Sequence, residues 1–246
     1  MTYKKRHDGR GLTETREIIA KAGVINKADG SGYFKIGKTE AYVAVYGPRE
    51  LHPRNQQNPK KGILRCKYSM MPFSGQGNRV RPGPNRRAKE ISMITEKALN
   101  PVVDLDEYPN AVVDIFIELP QTDAGSRCAG ISAASIALAD AGIKMKDMVP
   151  AVAVGIVDGT AVVDLDYKEE AWEGDVADIP IAMIPSTEEL TLLQMDGKVE
   201  PKLLIKAIEQ GKEALKKIAE IQRKAISDKY EEITKKVEKE QKVKGE

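Results

Sequence analysis

The chain has 246 residues, 41% of them hydrophobic, enough for one sizeable core or two closely packed subdomains without disulfide or metal staples. No apolar run approaches the roughly 20 residues of a bilayer-spanning helix, and the charged N-terminus has no signal-peptide core, so a cytoplasmic, non-membrane protein is expected. A net charge of +2 excludes nucleic-acid binding by bulk charge alone, while two cysteines and two histidines leave little for a disulfide framework, a histidine zinc site or a Ser/His/Asp triad.

In chain order, residues 16–25, 32–37 and 40–46 are short β-rich runs separated by Asp29-Gly30 and Gly37-Lys38, which predicts an antiparallel meander. Residues 47–62 read as a loop, 63–70 as a strand and 73–84 as a second loop. Asn85 is placed to cap a helix that carries Ile91, Ile94, Ala98 and Leu99 at helical spacing and stops before Asn100-Pro101. A strand over 112–119 leads through a turn into an alanine-rich helix over 126–141, ended by Gly142 and packed against a sheet. A hairpin joins 149–157 to 160–165 about Asp158-Gly159, and strands follow at 179–184 and 190–195. From Pro201, Leu204, Ile208, Leu215, Ile218, Ala225, Ile233 and Val237 keep helical spacing, predicting one long amphipathic helix that frays after about Lys239. This order gives an α+β fold of mixed β-sheets packed with helices. Cys66 and Cys128 read as small buried hydrophobes.

Charge is unevenly distributed. Basic residues dominate between Arg49 and Lys97, and carboxylates crowd between Asp158 and Asp178, as a polyphosphate substrate and an acid- or metal-assisted reaction would require. Within this pattern Gly125, Ser126 and Arg127 open a helix, where exposed N–H groups, a hydroxyl and a guanidinium favour an anion; a plain cap from Asp123 or Ser126 is the alternative. Arg86 and Arg87 occupy the first turn of another helix, against its dipole unless an anion sits nearby. Asp164 and Asp166 share one face of a strand and precede Glu169, Glu170, Glu173, Asp175 and Asp178, so several carboxylates could converge to raise a pKa or bind Mg²⁺, or form a hydrated acidic loop.

Taken together, several segments carry a resemblance: Arg6-His7-Asp8-Gly9-Arg10, Tyr46-Gly47-Pro48-Arg49-Glu50 with His52-Pro53-Arg54, Arg86-Arg87 with Glu90, residues 122–130, Asp158-Gly159-Thr160, and Asp164-Leu165-Asp166 leading to Ala177-Asp178-Ile179-Pro180. They span nearly the whole chain, which resembles the RNase PH family, most closely the catalytic ring subunits of the archaeal exosome. The resemblance implies a single RNase PH-like domain, with the arginines in about 1–145, the carboxylates in about 146–200 and a helical tail in about 201–246. It also implies phosphate-dependent removal of nucleoside diphosphates from the 3′ end of single-stranded RNA, with inorganic phosphate as co-substrate and Mg²⁺ or Mn²⁺ as cofactor. The implied assembly is a ring of three heterodimers with a related inactive subunit, capped by RNA-binding subunits.

Carried over residue by residue, Gly125, Ser126 and Arg127 would hold the attacking phosphate, and Arg86 and Arg87 the RNA backbone and scissile phosphate. Asp178 would be general acid or metal ligand, and His52 and Arg54 would line a central pore. The family's second carboxylate lies six residues before the position of Asp178, but residue 172 is Trp; an apparent two-residue insertion leaves Glu170 and Asp175 as catalytic candidates, Glu170 preferred by its distance from Asp164-Leu165-Asp166. Two other family roles are a structural ring subunit without activity, which has no evident need for Arg127 and Asp178, and a stand-alone tRNA-trimming hexamer, which the 47–54 loop and charged C-terminal helix fit less well.

Overall fold

The computed structural model describes residues 3, 5–76, 78–81, 83 and 85–244. A five-stranded mixed sheet holds β1 (Ile18–Ala22), β2 (Gly30–Ile36), β3 (Thr39–Glu50), β4 (Ile63–Met70) and β5 (Ala111–Gln121) in the order β1-β2-β3-β5-β4. A four-stranded antiparallel sheet holds β6 (Ala151–Val157), β7 (Thr160–Val163), β8 (Val176–Ile184) and β9 (Glu189–Leu193) in the order β7-β6-β8-β9. Helices α1 (Arg86–Leu99), α2 (Ser126–Asp140), α3 (Tyr167–Glu170) and α4 (Pro201–Lys244) complete an α+β architecture.

The meander is present as expected, β1 to β2 to β3, all antiparallel. β3 does not stop at Tyr46, however. Its pairing with β5 shifts register between Tyr46 and Arg49 and resumes at Arg49 opposite Val112 and Glu50 opposite Ala111. Pro48 has no N–H to give the ladder, so it sits at the irregularity, where a bulge already interrupts the bonding. β4 lies parallel to β5, a geometry that needs a long crossover, and α1 supplies it. α1 also covers the free edge of β4: the Cys66 N–H donates to Glu96 Oε1 at 2.8 Å and the Tyr68 N–H to Ser92 Oγ at 2.9 Å. Asn85 caps α1 as expected, its side chain accepting from the Ala88 N–H at 2.8 Å.

α2 is apolar on all sides and almost wholly buried, because it is held between the two sheets rather than against one. Its close approach to β2 depends on missing side chains: a Cβ at Gly30 would fall 2.2 Å from Ala141 N, and one at Gly32 would fall 2.4 Å from Ala133 O. One continuous core runs from Phe34 and Val43 of the first sheet through Ile131 and Ile136 of α2 to Val154 and Ile181 of the second, and on to Leu215 and Ile218 of α4. Cys66 and Cys128 are both free and buried in it. The Asp158-Gly159 hairpin turn forms with both residues at positive φ. α4 stays helical to Lys244 instead of fraying near Lys239, in keeping with a tail rich in Glu, Gln and Lys, all good helix formers. Its apolar stripe is buried at Leu215, Ile218 and Ala225, whereas Ile233 and Val237 face solvent. No helix among the described residues is long and apolar enough to cross a membrane.

Candidate active site

The turn leading into α2 is the centre of the site. Ala124 and Gly125 are both in the left-handed region, at φ 58° and 63°, which swings the chain from the end of β5 into the helix. The buried Thr39 fixes this turn, since its hydroxyl accepts from the Asp123 N–H at 2.8 Å and donates to the Ala124 carbonyl at 2.7 Å. Arg16 adds a guanidinium bond to the Asp123 carbonyl. Gly125 is the N-cap residue and no side chain caps the helix. The alternative of a plain cap from Asp123 or Ser126 is therefore not what forms. With no capping oxygen in place, the first N–H groups and the positive end of the dipole are left for an anion. Ser126 is buried, and its Oγ accepts from Tyr68 OH at 2.8 Å, which leaves its own hydrogen to donate.

A cavity of about 290 Å³ opens at this turn, lined by Thr122, Ser126, Tyr68, Arg87, Tyr167 and Glu170 among others. A second of about 410 Å³ is lined by Arg87, Glu90, Arg127, Asp178, Gln194 and Asp196. Arg87 belongs to both, so the two form one cleft between α1, the start of α2, and β8. Asp178 projects from β8, its backbone bridged to Asp196 by N–H to carbonyl bonds of 3.0 and 2.9 Å. Its carboxyl is pushed up to about 6, first by burial, then by the negative charges of Glu170 and Asp196; Arg127 and Arg87 pull the other way and lose. A carboxylic acid poised near neutrality between two arginines can give or take a proton at a bound phosphate ester.

Of the expected acidic cluster, only Glu170 and Asp178 face this cleft. β7 ends at Val163, and Asp164 leaves it at φ 59°, so Asp164 and Asp166 do not share a strand face as expected. Asp164 is buried against Arg16, with Nε to Oδ2 at 2.9 Å and Nη2 to Oδ1 at 2.6 Å. Asp166 caps α3 through the Lys168 and Glu169 N–H groups and meets His7 Nε2 at 2.6 Å. Glu169 is buried with Arg6 at 2.5 Å and accepts from Tyr3 OH at 2.7 Å. Buried carboxylates need partners, and Arg16, His7 and Arg6 near the N-terminus take these three out of the cluster. The Arg6 to Arg10 segment thus acts as a clamp that holds α3, which in turn presents Tyr167 and Glu170 to the cavity.

Asp175 is exposed on the neighbouring turn, where its N–H donates to Asp158 Oδ1 at 3.1 Å, and it lines neither cavity. Trp172, in the apparent insertion, folds back to the same aspartate, Nε1 to Oδ2 at 2.9 Å, and packs edge-on against Tyr3. Arg86 is exposed and lines neither cavity, unlike Arg87. His52 and Arg54 lie near the far end of β3 and β5, beside Glu50, about 30 Å of strand away from the α2 turn.

Sequence reading missed Tyr68, Thr39, Gln194 and Asp196. Asp196-Gly197 carries a turn signal after β9, but only the β8 pairing brings it beside Asp178. Among the described residues no three His, Cys, Asp or Glu side chains are placed to hold a metal. Glu170 and Asp196 lie close enough to Asp178 to raise its pKa, and one or two such carboxylates with substrate oxygens and water fit the usual coordination of Mg²⁺.

Residues 14–144 match domain 1 of the 3′ exoribonuclease (RNase PH) family and residues 147–214 match its domain 2. The chain is 48% identical over 225 residues to the exosome complex component Rrp41 of Methanopyrus kandleri, covering 92% of this chain and 93% of that one. It is 47% identical over 234 residues to the protein of the same name from Thermococcus kodakarensis, covering 95% and 93%. Among solved structures it is similar to rice (Oryza sativa) Rrp46, with TM-score 0.75 and 24% identity over 89% of this chain and 98% of that one. An Archaeoglobus fulgidus exosome with RNA bound to the active site gives TM-score 0.75 and 22% identity over 88% and 92%. Fold, cleft and sequence agree: the chain belongs to the RNase PH family of 3′ exoribonucleases.

Proposed function

We propose that this chain is the phosphorolytic subunit of an archaeal-type exosome ring, shortening single-stranded RNA from its 3′ end and releasing nucleoside diphosphates. The observation that carries this reading is an uncapped helix start whose Ser126 lines one cavity while Arg127, in the adjoining one, faces the Asp178 carboxyl, pushed up to about 6. In this reading Gly125, Ser126 and Arg127 bind inorganic phosphate through N–H groups, hydroxyl and guanidinium. Arg87 lies between the two cavities and holds the scissile phosphodiester, and Arg86, outside the cleft, meets the RNA backbone further on. A phosphate oxygen attacks the terminal phosphorus, the bond to the 3′ oxygen breaks, and Asp178 gives that oxygen its proton. The products are a nucleoside diphosphate and an RNA one nucleotide shorter. Run backwards, the same geometry adds nucleotides from diphosphates and frees phosphate.

Phosphoryl transfer needs alignment and charge neutralisation more than covalent help, and arginines with helix N–H groups supply both. Glu170 raises the pKa of Asp178 and is the second carboxylate of the site. Mg²⁺ or Mn²⁺ held at Asp178 would add further neutralisation of the phosphate oxygens. His52 and Arg54 are the candidate lining of a central pore. The partners are a related inactive RNase PH-type subunit, alternating with this one in a trimer of heterodimers, and RNA-binding cap subunits; the complex is cytoplasmic. The names of the archaeal relatives support the exosome assignment.

End-labelled single-stranded RNA, incubated with the chain alone and with its proposed partner, in Mg²⁺ with and without phosphate, tests the reading. Diphosphates that form only with phosphate support it. Monophosphates formed without phosphate would mean hydrolysis and overturn it; RNA binding with no product in either preparation would make the chain a structural subunit.

A further inference from the structure

We infer that Gln194 is a positioning residue for the proposed phosphorolysis: its neutral amide aims Arg127 into the cleft while leaving the guanidinium charge free for the attacking phosphate. This rests on the function proposed above and concerns a residue outside the set carried over from the family.

Arg127 Nη1 donates to Gln194 Oε1 at 2.6 Å. Arginine only donates, so the amide must turn its oxygen towards Arg127, and its NH₂ then faces Glu90 Oε1 at 3.5 Å. The Gln194 backbone is itself fixed, its N–H donating to the Pro180 carbonyl at 3.2 Å, two residues beyond Asp178 on β8. One residue therefore ties the start of α2 to α1 through its side chain and to the strand that carries Asp178 through its backbone.

The choice of an amide contrasts with the arginines that the fold pairs with carboxylates. Arg6, Arg16, Arg65 and Arg223 are each held by a carboxylate, Glu169, Asp164, Asp114 and Asp147, at 2.5 to 2.9 Å. Those pairs neutralise the guanidinium, which suits an arginine that holds the fold together. Among the described residues Arg127 forms no such pair. An amide oxygen fixes the direction of the fork but adds no counter-charge beyond that of Asp178 across the cleft, so the guanidinium stays available to a phosphate.

The test compares Gln194→Ala and the isosteric Gln194→Glu with the parent chain, in the complex that degrades RNA, at one pH and one Mg²⁺ concentration. The readouts are the half-saturating phosphate concentration, kcat and RNA affinity. Gln194→Ala is expected to raise the half-saturating phosphate concentration about tenfold, as loss of one charge-assisted bond would, with RNA affinity unchanged. Gln194→Glu keeps shape and hydrogen bond but cancels the charge, and is expected to weaken phosphate binding at least as much. A packing role predicts the reverse order, with Glu nearer to the parent. The inference is overturned if Gln194→Glu keeps the parent's phosphate dependence, or if both variants change only kcat or RNA affinity. Should Gln194→Ala fail to fold, Gln194→Glu alone decides. A parent that makes no diphosphate in response to phosphate removes the functional reading, and this inference with it; a phosphate-dependent parent with unresponsive variants removes this inference alone.

Discussion

At the scale of single residues, the cleft stores an unfavourable charge where the proposed reaction uses it. The Asp178 carboxyl is pushed from 3.8 up to about 6 in the fold, so the folded chain binds a proton more tightly there than the unfolded chain does. Stability from this group therefore falls as pH rises through that interval, and above about 6 the whole penalty is present. Two pKa units correspond to at most about 3 kcal/mol, and solvent reaching the cleft reduces this to about 1–2 kcal/mol. Asp178→Asn is accordingly expected to be more stable than the parent by about 1–2 kcal/mol at pH 8 without divalent ions, with the gain gone by about pH 4, as thermal melts at the two pH values would show. The same variant should lose about a hundredfold or more in turnover. Glu170→Gln should lower turnover and shift the Asp178 titration down, because it removes a negative charge that raises it, whereas Asp175→Asn should change neither. pH–rate profiles of the two variants separate Glu170 from Asp175 directly.

At the scale of elements, a four-residue helix such as α3 is too short to hold itself and depends on tertiary partners. Its capping box, the His7 contact to Asp166 and the buried Arg6–Glu169 pair are what present Glu170 to the cavity. Glu169→Ala would leave the Arg6 guanidinium buried without its carboxylate, so a loss of about 3–5 kcal/mol in chemical denaturation is expected, with turnover reduced even in the folded fraction. The pattern of the Arg6 to Arg10 segment was visible in the sequence, but its partners stand more than 150 positions away. Strands and long helices were legible because period and capping are local properties: Asn85, Asn100-Pro101 and Asp158-Gly159 mark the boundaries found. The continuation of β3 past Pro48 was not, because a proline-bearing run becomes a strand only when its neighbour offers an irregular register.

At the scale of the whole molecule, basic and acidic segments distant in sequence meet in one cleft, while His52 and Arg54 stand about 30 Å of strand away from it. If these two residues line a pore through which RNA reaches the cleft, Arg54→Ala should slow degradation of long RNA but not of a dinucleotide, and the effect should fade as salt rises. Equal loss on both substrates would place Arg54 elsewhere. By itself the sequence determined the α+β class and most element boundaries, which follow from local spacing, and it marked Gly125, Ser126, Arg127, Arg86, Arg87 and Asp178 as candidates through contiguous motifs and a family resemblance. The tertiary structure alone decided which carboxylates remain free. Asp164, Asp166 and Glu169 are taken up by Arg16, His7 and Arg6, and Gln194 and Asp196 arrive from the segment that follows β9. Composition counts charges, but a buried charge is assigned to structure or to chemistry by its partner across the fold, and that pairing exists only once the chain has closed.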